Sequence, residues 1–70
     1  MTVVVSEVTG LVSRIEAAPG QSVEEGDTIV IVESMKMEIP IVAPRSGTVK
    51  EIHVQQGDLV KDDQPVAVLG

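Results

Sequence analysis

The sequence predicts an all-β domain of eight short strands in two sheets, and three observations carry that prediction. Turn residues arrive every few positions. Nowhere do apolar residues recur at i, i+3, i+4 and i+7 over a helical length. The chain also contains an internal repeat. Shifted by 37 positions, residues 10–33 lie over residues 47–70 without a gap, and Gly10, Val12, Ile15, Gly20 and Val23 meet Gly47, Val49, Ile52, Gly57 and Val60 as identities. Similar apolar residues extend the match, with Ile29, Ile31 and Val32 over Val66, Val68 and Leu69.

Each half reads the same way, and strands at both termini bring the count to eight. After the first glycine, Leu11 to Glu16 and Thr48 to Val54 are rich in β-branched residues and read as strands. Val12 and Ile15 are three apart, as are Val49 and Ile52, so a strict period of two cannot turn both inward; a β-bulge in each half is expected to restore both to the core. A turn follows at Ala18-Pro19-Gly20-Gln21 or Gln55-Gln56-Gly57-Asp58, where glycine can take positive φ. A short strand comes next around Val23 or Val60. Then a polar turn, Glu24-Glu25-Gly26-Asp27 or Lys61-Asp62-Asp63-Gln64, leads into a near-continuous apolar run. Pro40 and Pro44 bracket Ile41-Val42-Ala43 and Pro65 opens the last strand, so these strands are expected at sheet edges or to begin at the proline.

Composition bounds the function. Seventy residues, 43% hydrophobic and 23% charged, make one small domain spanning residues 1–70. Such a chain buries only about 60% of its unfolded surface. No cysteine and a single histidine, His53, leave neither disulfides nor a metal cluster to reinforce it, and without aromatics the core must be Val, Ile, Leu and Ala. His53 lies between Ile52 and Val54 and is expected to face outward, with no partner for metal or base chemistry. A net charge of −6 and pI near 4.4 argue against nucleic acid. The first residues lack a basic leader, and no run approaches the roughly 20 apolar residues of a membrane helix. The expected location is the cytoplasm, and Met1 with the compact length favours a free-standing protein.

Between the halves stands Glu33-Ser34-Met35-Lys36-Met37-Glu38. Ile29 to Val32 enter this segment and Ile39 to Val42 leave it, which makes a hairpin with Lys36 at or beside its apex. The tip has none of the usual Asn, Asp or Gly. Two methionines there are poor solubility chemistry, but flexible, polarizable Met suits a surface that docks onto other proteins. Against this stands the plainer reading of a solvated lysine with methionines covering the core. Lys50 and Lys61 have no unusual flanks and read as surface charge.

Glu33-Ser34-Met35-Lys36-Met37 resembles the attachment motif of the biotin carboxyl carrier family, in which Met-Lys-Met follows a Glu and a small residue. Ala43-Pro44-Arg45-Ser46-Gly47-Thr48-Val49 is similar to the family's segment after the attachment hairpin, and Gln56-Gly57-Asp58-Leu59-Val60 to its last turn. The resemblance implies a flattened β-barrel, or barrel-sandwich hybrid, of two four-stranded antiparallel sheets with quasi-two-fold symmetry. It implies covalent biotin on Lys36, added by a biotin protein ligase when the lysine amine attacks an activated biotinyl group. It further implies a carrier without a catalytic site of its own, shuttling a carboxyl group between biotin carboxylase and carboxyltransferase components. Met35 and Met37 would tune recognition by those enzymes. Glu33 matches the family's acidic position, either as a recognition flank or as a solvated strand end, and Glu38 reads as surface.

Departures narrow the resemblance. Glu7-Val8-Thr9-Gly10 stands where many relatives carry a proline, and the gapless repeat leaves no room for the protruding thumb of some acetyl-CoA carboxylase carriers. A lipoyl carrier of a 2-oxo acid dehydrogenase complex shares the fold and the hairpin lysine, but that family typically has Asp-Lys-Ala at the tip. An unmodified structural or adaptor module is the other alternative, and would leave the Met-flanked lysine as coincidence.

Overall fold

The computed structural model describes residues 1–70 and contains eight strands and no helix. They are β1 (Thr2–Val5), β2 (Gly10–Ile15), β3 (Ser22–Val23), β4 (Thr28–Ser34), β5 (Met37–Val42), β6 (Gly47–Ile52), β7 (Leu59–Val60) and β8 (Pro65–Leu69). Two four-stranded antiparallel sheets form, in the orders β1-β8-β6-β3 and β5-β4-β2-β7. Adding 37 to a residue number carries β2 onto β6, β3 onto β7 and the start of β4 onto that of β8, so the two sheets are copies of one another. Each draws strands from both halves of the chain, so the repeats are interleaved rather than stacked. No helix is present that could be long and apolar enough to cross a membrane.

Hydrogen bonds obey the same symmetry. Gly20 N–H donates to the Val49 carbonyl and Gly57 N–H to that of Val12, both at 2.8 Å. Ser6 N–H donates to Gln64 and Ala43 N–H to Asp27, at 2.9 and 2.8 Å. Each half therefore satisfies backbone groups of the other, which no half could do alone.

Four turns close by one device. In Ala18–Gln21, Glu24–Asp27, Gln55–Asp58 and Lys61–Gln64 the fourth residue's N–H donates to the first carbonyl at 3.0 Å. The fourth side chain accepts in return from the first N–H, at 2.8–3.1 Å. The third position has positive φ in all four: Gly20, Gly26 and Gly57, and then Asp63 at 70° where the repeat elsewhere has glycine.

The core lies between the sheets and is aliphatic throughout. Val12, Val30, Val32, Val49, Val60, Val66, Ile29 and Leu69 are its largest fully buried apolar members. Each such side chain contributes about 1.5–3 kcal/mol when fully buried. Buried Ser6 is satisfied locally, donating from its hydroxyl to the Val8 carbonyl at 2.6 Å.

The expected bulges are present, between Val12 and Arg14 and between Val49 and Glu51. They do not bury both isoleucines. Ile52 is half-buried against the core, whereas Ile15 is 36% exposed. It is the last residue of β2, and at that rim of the sheet its side chain remains partly open to solvent. Pro40 falls on β5, an edge strand, and Pro65 opens β8, a central one, as proline's missing donor requires. His53 is exposed, 3.5 Å from Glu51, and no group of three or more His, Cys, Asp or Glu residues gathers as a metal site.

Candidate functional site

The hairpin is tighter than the apolar pattern indicates. The ladder between β4 and β5 continues past Val32↔Ile39 through Glu33↔Glu38 to Ser34↔Met37. Only Met35 and Lys36 remain to turn the chain, so Met37 is a strand residue. Such a two-residue turn needs a twist matching the strands, which type I′ geometry supplies by positive φ at both central positions. Met35 has φ 51° and Lys36 φ 65°. A β-carbon in that region crowds the backbone and costs about 1–2 kcal/mol per residue. The tip stores strain that Asn-Gly would avoid.

The base of the hairpin is firmly held. Val30, Val32 and Ile41 turn inward and are buried. On the other side of β4, Val12 and Leu11 of β2 pair with Val32 and Glu33. Gly10 permits this approach: a β-carbon there would fall on the Glu33 carbonyl oxygen and within 2.9 Å of a Val32 methyl. Its repeat partner Gly47 faces the Gly70 carbonyl and the Arg45 guanidinium.

The tip is open to solvent. Met35 is 92% and Met37 63% exposed, so neither covers the core, and Lys36 is exposed between them. The ion pairs are Arg14–Glu16 and Glu51–His53, so no carboxylate within 4.0 Å holds the Lys36 amine. Glu33 is exposed on the outer face, opposite Glu38. Glu38 also accepts from the Ser13 hydroxyl at 3.3 Å. Sequence reasoning placed Lys36 at the tip. It missed the left-handed pair, whose only sequence signal is the two-residue gap left once both strands run to their full length. Glu38 is at the surface as expected, but the carboxylate that faces it depends on register.

A chemically simple site results. An amine on an exposed side chain, unpaired and raised on a hairpin, is accessible for acylation, and the residues present fit a group attached by an amide. A two-sheet sandwich with an exposed lysine at its connecting hairpin fits the class of carrier domains for a lysine-linked group. Comparison with known proteins makes the class specific. Residues 1–69 match the biotin/lipoyl family, described as biotin-requiring enzyme, and the chain belongs to that family. It is 45% identical over 56 residues to a biotin/lipoyl attachment protein of Bacillus subtilis, covering 80% of this chain and 77% of that one. It is 42% identical over 55 residues to the human mitochondrial propionyl-CoA carboxylase alpha chain, covering 79% of this chain but 8% of that one. In structure it is similar to Kluyveromyces lactis urea carboxylase, with TM-score 0.95 and 39% identity over 99% of this chain and 6% of that one. The description as biotin-requiring, together with a biotinylated relative and the carboxylase relatives, supports covalently attached biotin as the cofactor and a carrier rather than a catalytic part.

Proposed function

We propose that residues 1–70 form a biotinyl domain acting as a biotin carboxyl carrier, with Lys36 as the attachment residue. The observation that carries this reading is the tip itself: a strained two-residue turn presenting an unpaired lysine between two exposed methionines. A biotin protein ligase is the first partner. In its complex the Lys36 amine gives up a proton. Its Nζ then forms an amide with an activated carboxyl carbon, whose leaving group departs. When bound, biotin supplies a ring nitrogen that takes up and releases a carboxyl group.

The chain's own residues do the rest. The β4–β5 hairpin holds the modified side chain clear of the body, and tethering raises its effective concentration at biotin carboxylase and carboxyltransferase components in turn. Met35 and Met37 offer adaptable apolar contact on either side of the amine, and Glu33 flanks them for recognition. Relatives named as propionyl-CoA, pyruvate and urea carboxylases support the carboxylase setting. A cysteine-free chain suits the cytoplasm.

Co-expression with a biotin protein ligase tests the reading through intact mass and avidin binding. Wild type should gain one biotinyl increment, and Lys36→Arg none. A wild type that stays unmodified, or takes a lipoyl increment instead, overturns it.

A further inference from the structure

Sulfur in this chain is confined to three methionines, since there is no cysteine, and aromatic side chains are absent as well. None of the three belongs to the core, which is Val, Ile, Leu and Ala throughout. Met1 stands at the chain's start, 95% exposed, and the other two flank Lys36. Thioethers are therefore the only groups here that a mild peroxide oxidises readily.

The fold holds both flanking thioethers in the open. Met35 occupies the turn at φ 51°, and Met37 closes the β4–β5 ladder opposite Ser34. At 92% and 63% exposure neither packs into the core. Susceptibility follows exposure, so both meet an oxidant in solution, Met35 ahead of Met37. Oxidation changes the character of the tip and spares the fold. A thioether is flexible and apolar. A sulfoxide is polar, and burying its oxygen without a partner is costly. Any enzyme that closes over the Lys36 amine meets these two side chains on either side of it.

We propose that Met35 and Met37 form a reversible oxidation site that gates modification of Lys36. This rests on the biotin-attachment reading above. The oxidant is hydrogen peroxide. A sulfur lone pair attacks one peroxide oxygen, the O–O bond breaks, an S–O bond forms, and the second oxygen leaves as water with both protons. Sulfur is oxidised by two electrons and the peroxide is reduced by two. Reversal is by methionine sulfoxide reductases, with a pair of thiols giving two electrons, forming a disulfide and releasing the oxygen as water. With no methionine or cysteine in its core, the oxidised chain stays folded and loses acceptance of the cofactor.

The test treats the unmodified chain with hydrogen peroxide, removes the peroxide with catalase, and then adds a biotin protein ligase. Intact mass and peptide mapping should place one oxygen on each of Met35 and Met37. The kcat/KM for biotin transfer should fall on the order of tenfold, with Tm unchanged, and reductases for both sulfoxide epimers should restore it. Met35→Leu/Met37→Leu should show the same kcat/KM before and after peroxide, whatever its level, whereas Met1→Leu should lose as much as wild type. If the leucine pair abolishes transfer, recovery under the reductases decides the matter. Tip sulfurs that resist oxidation, an oxidised chain with unchanged kcat/KM, or a peroxide loss that persists in Met35→Leu/Met37→Leu overturns the switch. So does a loss that tracks a fall in Tm. Wild type that accepts no biotin before peroxide overturns the reading beneath it instead.

Discussion

Replacing Met35-Lys36 with Asn-Gly should make this domain more stable while abolishing its modification. Both residues occupy left-handed backbone, at φ 51° and 65°, and the cost for residues bearing a β-carbon is about 1–2 kcal/mol each. Glycine at position 36 removes that cost but restores about 0.5–1 kcal/mol of unfolded-chain freedom, for a net gain of about 0.5–1 kcal/mol. Asparagine tolerates the same region better than methionine, contributing about as much again. The double variant should gain about 1–2 kcal/mol, and at roughly 4–8 °C per kcal/mol for a domain of this size the Tm should rise by about 4–16 °C. Met35 is too exposed for its loss to open a cavity. Thermal and urea unfolding at unchanged m-value measure the gain. A Tm at or below wild type would show that the turn stores no such strain. Met35→Asn alone keeps the amine and should take about half of the gain.

Two further substitutions probe the symmetry. Gly10→Ala pushes a methyl into the Glu33 carbonyl and a Val32 methyl, and Gly47→Ala pushes one into the Gly70 carbonyl and the Arg45 guanidinium. Both should destabilise by about 1–3 kcal/mol, and an unchanged denaturation midpoint in either would contradict that. Asp63 holds a left-handed turn position that its repeat partner Gly26 holds as glycine. Asp63→Gly should add about 0.5–1 kcal/mol and Gly26→Asp remove about 1 kcal/mol, and shifts of the same sign in urea melts would refute equivalence of the two turns.

Much of the molecule was legible in advance because its signals are local. Positive-φ glycines at Gly20 and Gly57, edge and leading prolines at Pro40 and Pro65, and paired bulges after Val12 and Val49 are properties of a few adjacent residues. Lys36 was legible because it falls between two apolar strands. Ile15 was misread because its exposure depends on where the strand ends against the rest of the fold. Glu38 reads as surface, which its exposure bears out, but the carboxylate facing it exists only once register is set.

The sequence by itself determined the all-β class, the repeat and the lysine between its two copies, since patterning and turn chemistry act along the chain. Only the tertiary structure decided that the copies interleave, each supplying carbonyls to the other's turns. It alone decided that the tip is a left-handed pair, because long-range strand pairing carries the ladder to Ser34 and Met37 and leaves two residues to reverse the chain. It also aligned Leu59, Leu11, Glu33 and Glu38 from four separate strands. Cross-strand neighbours are set by hydrogen-bond register between distant segments, and no local pattern records that register.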